Sequence, residues 1–174
     1  MVFIWRRKEG REINTIKKIF LFLFIALGFV SLSFADCYDG NDINDCIKKA
    51  EQGQPYYQYL LGFSYQTGRD IKRDYKKAAY WYEKSANAGN PNAQNNLGSL
   101  YENGQGVSRN YKKAAMLYRL SAEQGFDRAQ FNLGVSYYTG SGVKKSKKEA
   151  IKWFKRAAEL GNKDAAKNLR VLLK

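Results

Sequence analysis

Apolar residues recur along residues 57–164 with two superimposed periods, a short one of three to four residues and a long one of 36. The short period shows at Ala93, Leu97, Leu100 and Tyr101, and again at Tyr111, Ala114, Ala115, Tyr118 and Ala122. Each set draws one apolar stripe down a helix of about 3.6 residues per turn. Between the sets lies Asn103-Gly104-Gln105-Gly106-Val107, whose glycines accept positive φ and end the first helix. Asn110 stands just ahead of the second set, as Asp74 and Ser146 do one long period to either side, and all three side chains can accept from the free amides of a helix start. Gly89, Gly125 and Gly161 provide the matching stops. The pattern predicts a helix A and a helix B in every unit, joined by a sharp glycine turn.

The long period is a sequence repeat. Leu61-Gly62, Leu97-Gly98 and Leu133-Gly134 align, as do Tyr65, Tyr101 and Tyr137, then Ala78, Ala114 and Ala150, then Tyr82, Tyr118 and Phe154. Units 57–92 and 93–128 share 15 of 36 residues and units 93–128 and 129–164 share 14 of 36, where unrelated segments would share about two. Gly62, Gly98 and Gly134 fall inside helix A, where Gly costs about 0.5–1 kcal/mol relative to Ala. A recurrent Gly there predicts that another helix passes too close for a Cβ. Residues 39–53 match the back half of a unit and 165–174 the front half, so 36–56 and 165–174 read as capping helices and residues 36–174 as about eight helices. In the last one Arg170 replaces the recurrent Gly, as suits an element with no further neighbour. The fold class is all-α, an array of antiparallel helix pairs.

Residues 1–35 break the pattern. Six basic residues precede an apolar run from Ile19 to Val30, followed by Ser31-Leu32-Ser33-Phe34-Ala35 and Asp36. That is the three-part layout of a secretory signal peptide, with small residues placed for a cut between Ala35 and Asp36. Asp36 ahead of Cys37 argues against a lipoprotein. The expectation is a periplasmic or secreted protein; the alternative is an uncleaved N-terminal membrane anchor, for which Ile19–Phe34 is short against the roughly 20 residues of a spanning helix.

Composition narrows the chemistry. The 174 residues contain no His and two Cys. Histidine triads, histidine-ligated metals and four-thiolate clusters are therefore excluded, and no cofactor or metal is expected. Export opens the oxidising chemistry that a disulfide needs. A Cys37–Cys46 bridge would tie down the start of the mature chain, contributing about 2–3 kcal/mol in the loop-entropy model. Two free thiols, or Cys46 as a packed apolar residue, are the other readings. The net charge of +14 falls to +10 on residues 36–174, from 24 basic and 14 acidic side chains.

The motifs Leu-Gly-x-x-Tyr, Gly-x-Gly-Val, Lys-x-Ala, Trp-Tyr and Ala-x-x-Gly at a period of 36 resemble the Sel-one-like repeat, a relative of the tetratricopeptide repeat. The resemblance covers residues 39–174 and implies a right-handed α-solenoid that binds a protein or peptide on a concave face lined by helix A. Unit 57–92 departs from it by reading Gly68-Arg69-Asp70-Ile71, without the second Gly. Cysteine-rich secreted members of the family are labelled β-lactamases, which makes a β-lactam or cell-wall-peptide hydrolase the alternative function. This chain lacks their cysteine pair in every repeat. Its Ser141-Gly142-Val143-Lys144 has the Ser-x-x-Lys spacing of a serine β-lactamase, but in a loop and without Ser-Asp-Asn or Lys-Thr-Gly partners, so Ser141 and Lys144 read as coincidence.

The frame demands the aromatics that repeat, Tyr65, Trp81, Tyr82 and their equivalents, and these read as core. Side chains that change from unit to unit at fixed helix-A positions are the better recognition candidates. In register these are Tyr59, Asn95 and Phe131; Phe63, Ser99 and Val135; and Gln66, Glu102 and Tyr138. Lys72-Arg73, Arg109 and Lys144-Lys145, with Lys76-Lys77, Lys112-Lys113 and Lys148, would line up as one basic stripe. It reads first as a solvated face and second as steering toward an anionic envelope surface or acidic peptide; an exported protein seldom meets nucleic acid.

Overall fold

Pro55, Pro91 and Asp127 each open a helix of 13 residues, and Tyr75, Tyr111 and Lys147 each open a second one of the same length. In chain order the computed structural model contains α1 (Ile43–Glu51), α2 (Pro55–Thr67), α3 (Tyr75–Asn87), α4 (Pro91–Asn103), α5 (Tyr111–Glu123), α6 (Asp127–Thr139), α7 (Lys147–Glu159) and α8 (Lys163–Leu172). The chain divides into Met1–Ala35 and Asp36–Lys174, and the structure describes residues 43–69 and 71–173, all within the second. The expected signal segment with its expected cut after Ala35, together with Cys37, Asp70 and Lys174, lies outside the described residues.

The described residues form an all-α solenoid in which each helix packs on its chain neighbours, more extensively within the pairs α2/α3, α4/α5 and α6/α7 than between pairs. The helix-A elements begin two residues ahead of the units 57–92, 93–128 and 129–164. Proline at the first helical position explains this for α2 and α4, because its fixed φ suits a helix start and its missing amide is not needed there. The helix-B caps are as expected: Asp74 accepts from the Lys76 and Lys77 amides at 2.9 and 3.1 Å, Asn110 from Lys113 at 3.0 Å and Ser146 from Glu149 at 3.3 Å.

The recurrent helix-A glycine meets first of all a ring, joined at Gly98 by the Ala114 carbonyl at 3.3 Å. A Cβ on Gly62 would lie 2.7 Å from Tyr82 Cδ1, one on Gly98 2.8 Å from Tyr118 Cε1 and one on Gly134 2.7 Å from Phe154 Cδ1. All three rings are fully buried. The second loop glycine has a different task. A Cβ on Gly106 would run into the Tyr75 carbonyl and one on Gly142 into the Tyr111 carbonyl, so each loop rests on the first turn of the preceding unit's helix B. Both glycines hold positive φ, 72° and 73°.

Buried glutamines join successive units. The Gln58, Gln94 and Gln130 carboxamides each donate to the last turn of the preceding helix B, at Ala50, Ala86 and Ala122, over 3.2 Å. Gln94 Oε1 also accepts from Gln124 at 2.8 Å. One period later Leu160 stands where Gln124 does, and the buried Gln130 Oε1 has no hydrogen-bond partner among the described residues. At the N-terminal end Cys46 is buried with Ala50, Leu60 and Leu61, which packs α1 on α2.

Gly98→Ala gains helix propensity of about 1 kcal/mol but must displace a buried ring, at about 1–3 kcal/mol. We expect a net loss of about 1 kcal/mol in urea denaturation followed by circular dichroism; a gain would show that the ring yields freely. Leu160→Gln replaces a side chain that is 58% exposed and supplies the missing donor to Gln130. It should stabilise the protein by about 0.5–1.5 kcal/mol in the same assay, and no gain would mean that Gln130 is already satisfied by solvent.

Candidate functional site

The helix-A glycines do more than admit a ring: they bring the far end of that buried ring beside the side chains of helix A. There the Tyr82 hydroxyl donates to Gln66 Oε1 at 2.6 Å and accepts from Asn96 Nδ2 at 3.1 Å. Asn95 Nδ2 donates to Asn96 Oδ1 at 3.2 Å, and Asn132 Nδ2 donates to Asn95 Oδ1 at 3.0 Å. A single chain of hydrogen bonds therefore runs from α6 through α4 to α3 and α2, all donating in one direction. In the second unit the Tyr118 hydroxyl donates to Glu102 Oε2 at 2.7 Å. Burial pushes both phenols well above their usual range, and for Tyr118 the Glu102 carboxylate adds to the shift.

All nine helix-A candidates lie on α2, α4 and α6, but they do not share one role. Gln66, Asn95 and Glu102 are spent on the internal bonds just described, and Asn95 is buried. Tyr59 stacks on Tyr82 with centroids 6.1 Å apart and lies 6.4 Å from Phe63, while Phe131 packs on Phe154 at 5.7 Å. Ser99 accepts from Asn103, Val135 packs partly buried beside α7 and α8, and Tyr138 is 48% exposed. The recurrence of Asn96, Asn132 and Asn168 at 36-residue spacing was visible in the sequence and marks the polar ladder; its role needed the coordinates.

Ser141 and Lys144 fall in the α6–α7 loop. The Ser141 hydroxyl accepts from Thr139 at 2.8 Å, and Lys144 is exposed with no hydrogen bond or ion pair to any described residue. No cluster of His, Cys, Asp and Glu suited to a metal occurs among the described residues, and none of their helices is long and apolar enough to cross a membrane.

The basic stripe is partly seated on aromatic rings, and this too repeats. Arg73 and Arg109 each lie 5.7 Å from the ring centroids of Tyr75 and Tyr111, while Lys77 and Lys113 lie over Tyr65 and Tyr101 at 5.3 and 5.0 Å. At exposed sites such contacts are worth about 0.5–1 kcal/mol. Ion pairs are few among the described residues, Lys49 with Asp45 and Lys152 with Glu149. The third unit differs from the other two. Phe154 lacks the hydroxyl and Tyr138 replaces the acceptor, and a cavity of about 110 Å³ opens between Tyr138, Phe154, Asn168, Val171 and Leu172.

The helix pairs, their glycine turns and their 36-residue spacing match the Sel1 repeat model at residues 55–90, 91–126 and 127–162. The chain belongs to the Sel1 repeat family. The matched segments open on Pro55, Pro91 and Asp127, the residues that start α2, α4 and α6. Among solved structures it is similar to the protective antigen c5321 of uropathogenic Escherichia coli strains, described as displaying an SLR fold. That match has 38% identity and a TM-score of 0.72 and covers 73% of this chain and 27% of that one. A Sel1 repeat protein from Oxalobacter formigenes is 38% identical over 68% of this chain and 47% of its own, with a TM-score of 0.65. Helicobacter pylori cysteine rich protein B is 28% identical over 73% of this chain and 91% of its own, at a TM-score of 0.59. The chain thus spans about a quarter of the first and under half of the second. No curated protein matches it in sequence.

The buried phenols of this Sel1 array predict an alkaline weakness. The folded state keeps protons that the unfolded chain releases above the ordinary value of 10.0, so this stability is intact below about pH 10 and is lost as pH rises toward the higher folded-state values. Tyr82→Phe with Tyr118→Phe, which copies the residue at 154, should flatten the fall in melting temperature between about pH 10 and pH 12. An unchanged slope would place the alkaline loss elsewhere.

Proposed function

We propose that the chain is an exported Sel1 scaffold that binds a protein or peptide segment along its helix-A face. The observation that carries this is the contrast between frame and face. Positions 61, 62 and 82 repeat as Leu, Gly and aromatic, while the half-exposed helix-A positions 63 and 66 change completely between units, to Ser99 and Glu102 and then to Val135 and Tyr138. A repeated frame with unrepeated side chains is how a solenoid specifies an extended partner. The hydrogen-bonded ladder holds that face in one arrangement before binding, which lowers the ordering cost of association.

The signal-like residues 1–35 support export with a cut between Ala35 and Asp36, to the periplasm or beyond it. In that setting Cys46, already buried against α2, would pair with Cys37. That one similar structure is a protective antigen agrees with a place where antibodies reach. Mass spectrometry of the protein from the envelope fraction should find Asp36 as the first residue and a Cys37–Cys46 crosslinked peptide. An intact Met1 would replace export with an N-terminal anchor.

The binding face is tested by photocrosslinking in cells. A photoreactive residue at Ser99, on helix A, should yield discrete adducts, and one at Met116, which is 55% exposed on helix B, should not. Equal labelling at both positions would sink the helix-A face as the binding surface.

A further inference from the structure

We propose that the third-unit cavity is a docking pocket for one aliphatic side chain of an acidic peptide segment, a reading that rests on the helix-A scaffold proposed above. In the first two units the equivalent position is plugged by a polar pair, Tyr82 with Gln66 at 2.6 Å and Tyr118 with Glu102 at 2.7 Å. In the third unit both members change together. Phe154 loses the donor and Tyr138 loses the acceptor, and a half-open, mostly apolar pocket of about 110 Å³ lies there between α6, α7 and α8. A pocket of about 110 Å³ holds a Val, Leu or Ile side chain whole but not a whole indole.

Asn168 supplies the polar element of the site. Asn96 and Asn132, its register equivalents, are both committed as donors within the ladder, at 3.1 and 3.0 Å. Asn168 lines the cavity, and its carboxamide makes no hydrogen bond to any described residue. A carboxamide offers a donor and an acceptor together, the complement of one peptide unit of an extended chain.

Charge selects the kind of peptide. Residues 144–174 hold 11 basic and 3 acidic side chains. Lys145 Nζ lies 6.0 Å from the Tyr138 ring centroid, and Lys167 is one helical turn before Val171. Neither Lys145 nor Lys167 forms an ion pair with a described residue; the nearby acidic group on α8 is Asp164, one turn before Asn168. Val171 is 65% exposed beside the cavity. A mostly apolar pocket beside Lys145, in a stretch with an excess of basic side chains, fits an aliphatic residue flanked by Asp and Glu.

The test uses fluorescein-labelled peptides and fluorescence anisotropy on the purified protein. The probes are Asp-Glu-Asp-Leu-Asp-Glu-Asp, the same peptide with Ala or Trp for Leu, and a version with Lys at every acidic position. The acidic Leu peptide should bind, the Ala and Trp versions about ten-fold or more weakly, and the Lys version not at all. Phe154→Tyr restores the residue that the other two units carry at this position, so the fold accepts it while the hydroxyl enters the cavity. It should weaken the Leu peptide about ten-fold with the melting temperature unchanged, and Asn168→Ala should weaken it as well. Equal binding of the Leu and Ala peptides, no binding of either, or indifference to Phe154→Tyr overturns the pocket. So does binding to phosphatidylglycerol vesicles with no preference for the Leu peptide, which would point to a membrane surface instead. Photocrosslinking from Ser99 separates the two levels of the argument: adducts that persist in Phe154→Tyr leave the scaffold standing without the pocket, and their absence from the unaltered protein removes the scaffold itself.

Discussion

An aromatic ring set against a glycine is the contact on which the rest of this molecule depends. At Gly62, Gly98 and Gly134 the space of a missing Cβ is filled by Tyr82, Tyr118 and Phe154, so the two helices of each unit close to a distance that a larger residue would forbid. Close packing makes such a contact specific, since an interior at crystal density does not absorb an added methyl without moving something rigid. The same ring also decides how the two helices are bridged. Its para position lies beside the side chains of helix A, and whether the residue is Tyr or Phe determines whether a hydroxyl bridges to them.

Units join through a second set of contacts, independent of the rings. Buried glutamines reach back to the last turn of the preceding helix B, and the loops that carry Gly106 and Gly142 sit on the first turn of the preceding helix B. Each unit therefore grips only its neighbours, as in other solenoids, where stability is close to a sum of unit and interface terms. Across the helix-A face the asparagine ladder adds a continuous polar link from the third unit to the first. The face is thus ordered by its own hydrogen bonds before any partner arrives.

Against that regular background the third unit stands out. Phe154 lacks the hydroxyl that bridges to helix A in the other two units, the glutamine oxygen lacks among the described residues the donor that the second unit has, and residues 144–174 hold 11 basic against 3 acidic side chains. Elsewhere the basic stripe is partly spoken for, with Arg and Lys side chains resting on tyrosine rings at 5.0–5.7 Å in two successive units. The cations therefore belong in part to the packing of the loops and not only to long-range attraction, a division that a count of charges could not make.

Much of the fold was legible in the chain because repetition averages out local ambiguity. Three copies of the same apolar spacing, the same cap positions and the same glycines settle the helices, the turns and the helix pairing, since each rests on short-range geometry that recurs at 36 residues. The site was less legible. Gln66, Asn95 and Glu102 look like free recognition residues in the sequence, and only the packed structure shows them bonded to Tyr82, Asn132 and Tyr118, residues 16 or 37 positions away. The exchange of Tyr for Phe at 154 reads in sequence as a conservative core change. Whether a hydroxyl at that point is buried, bridged or replaced by a cavity depends on three helices meeting, and no periodicity along one chain carries that information.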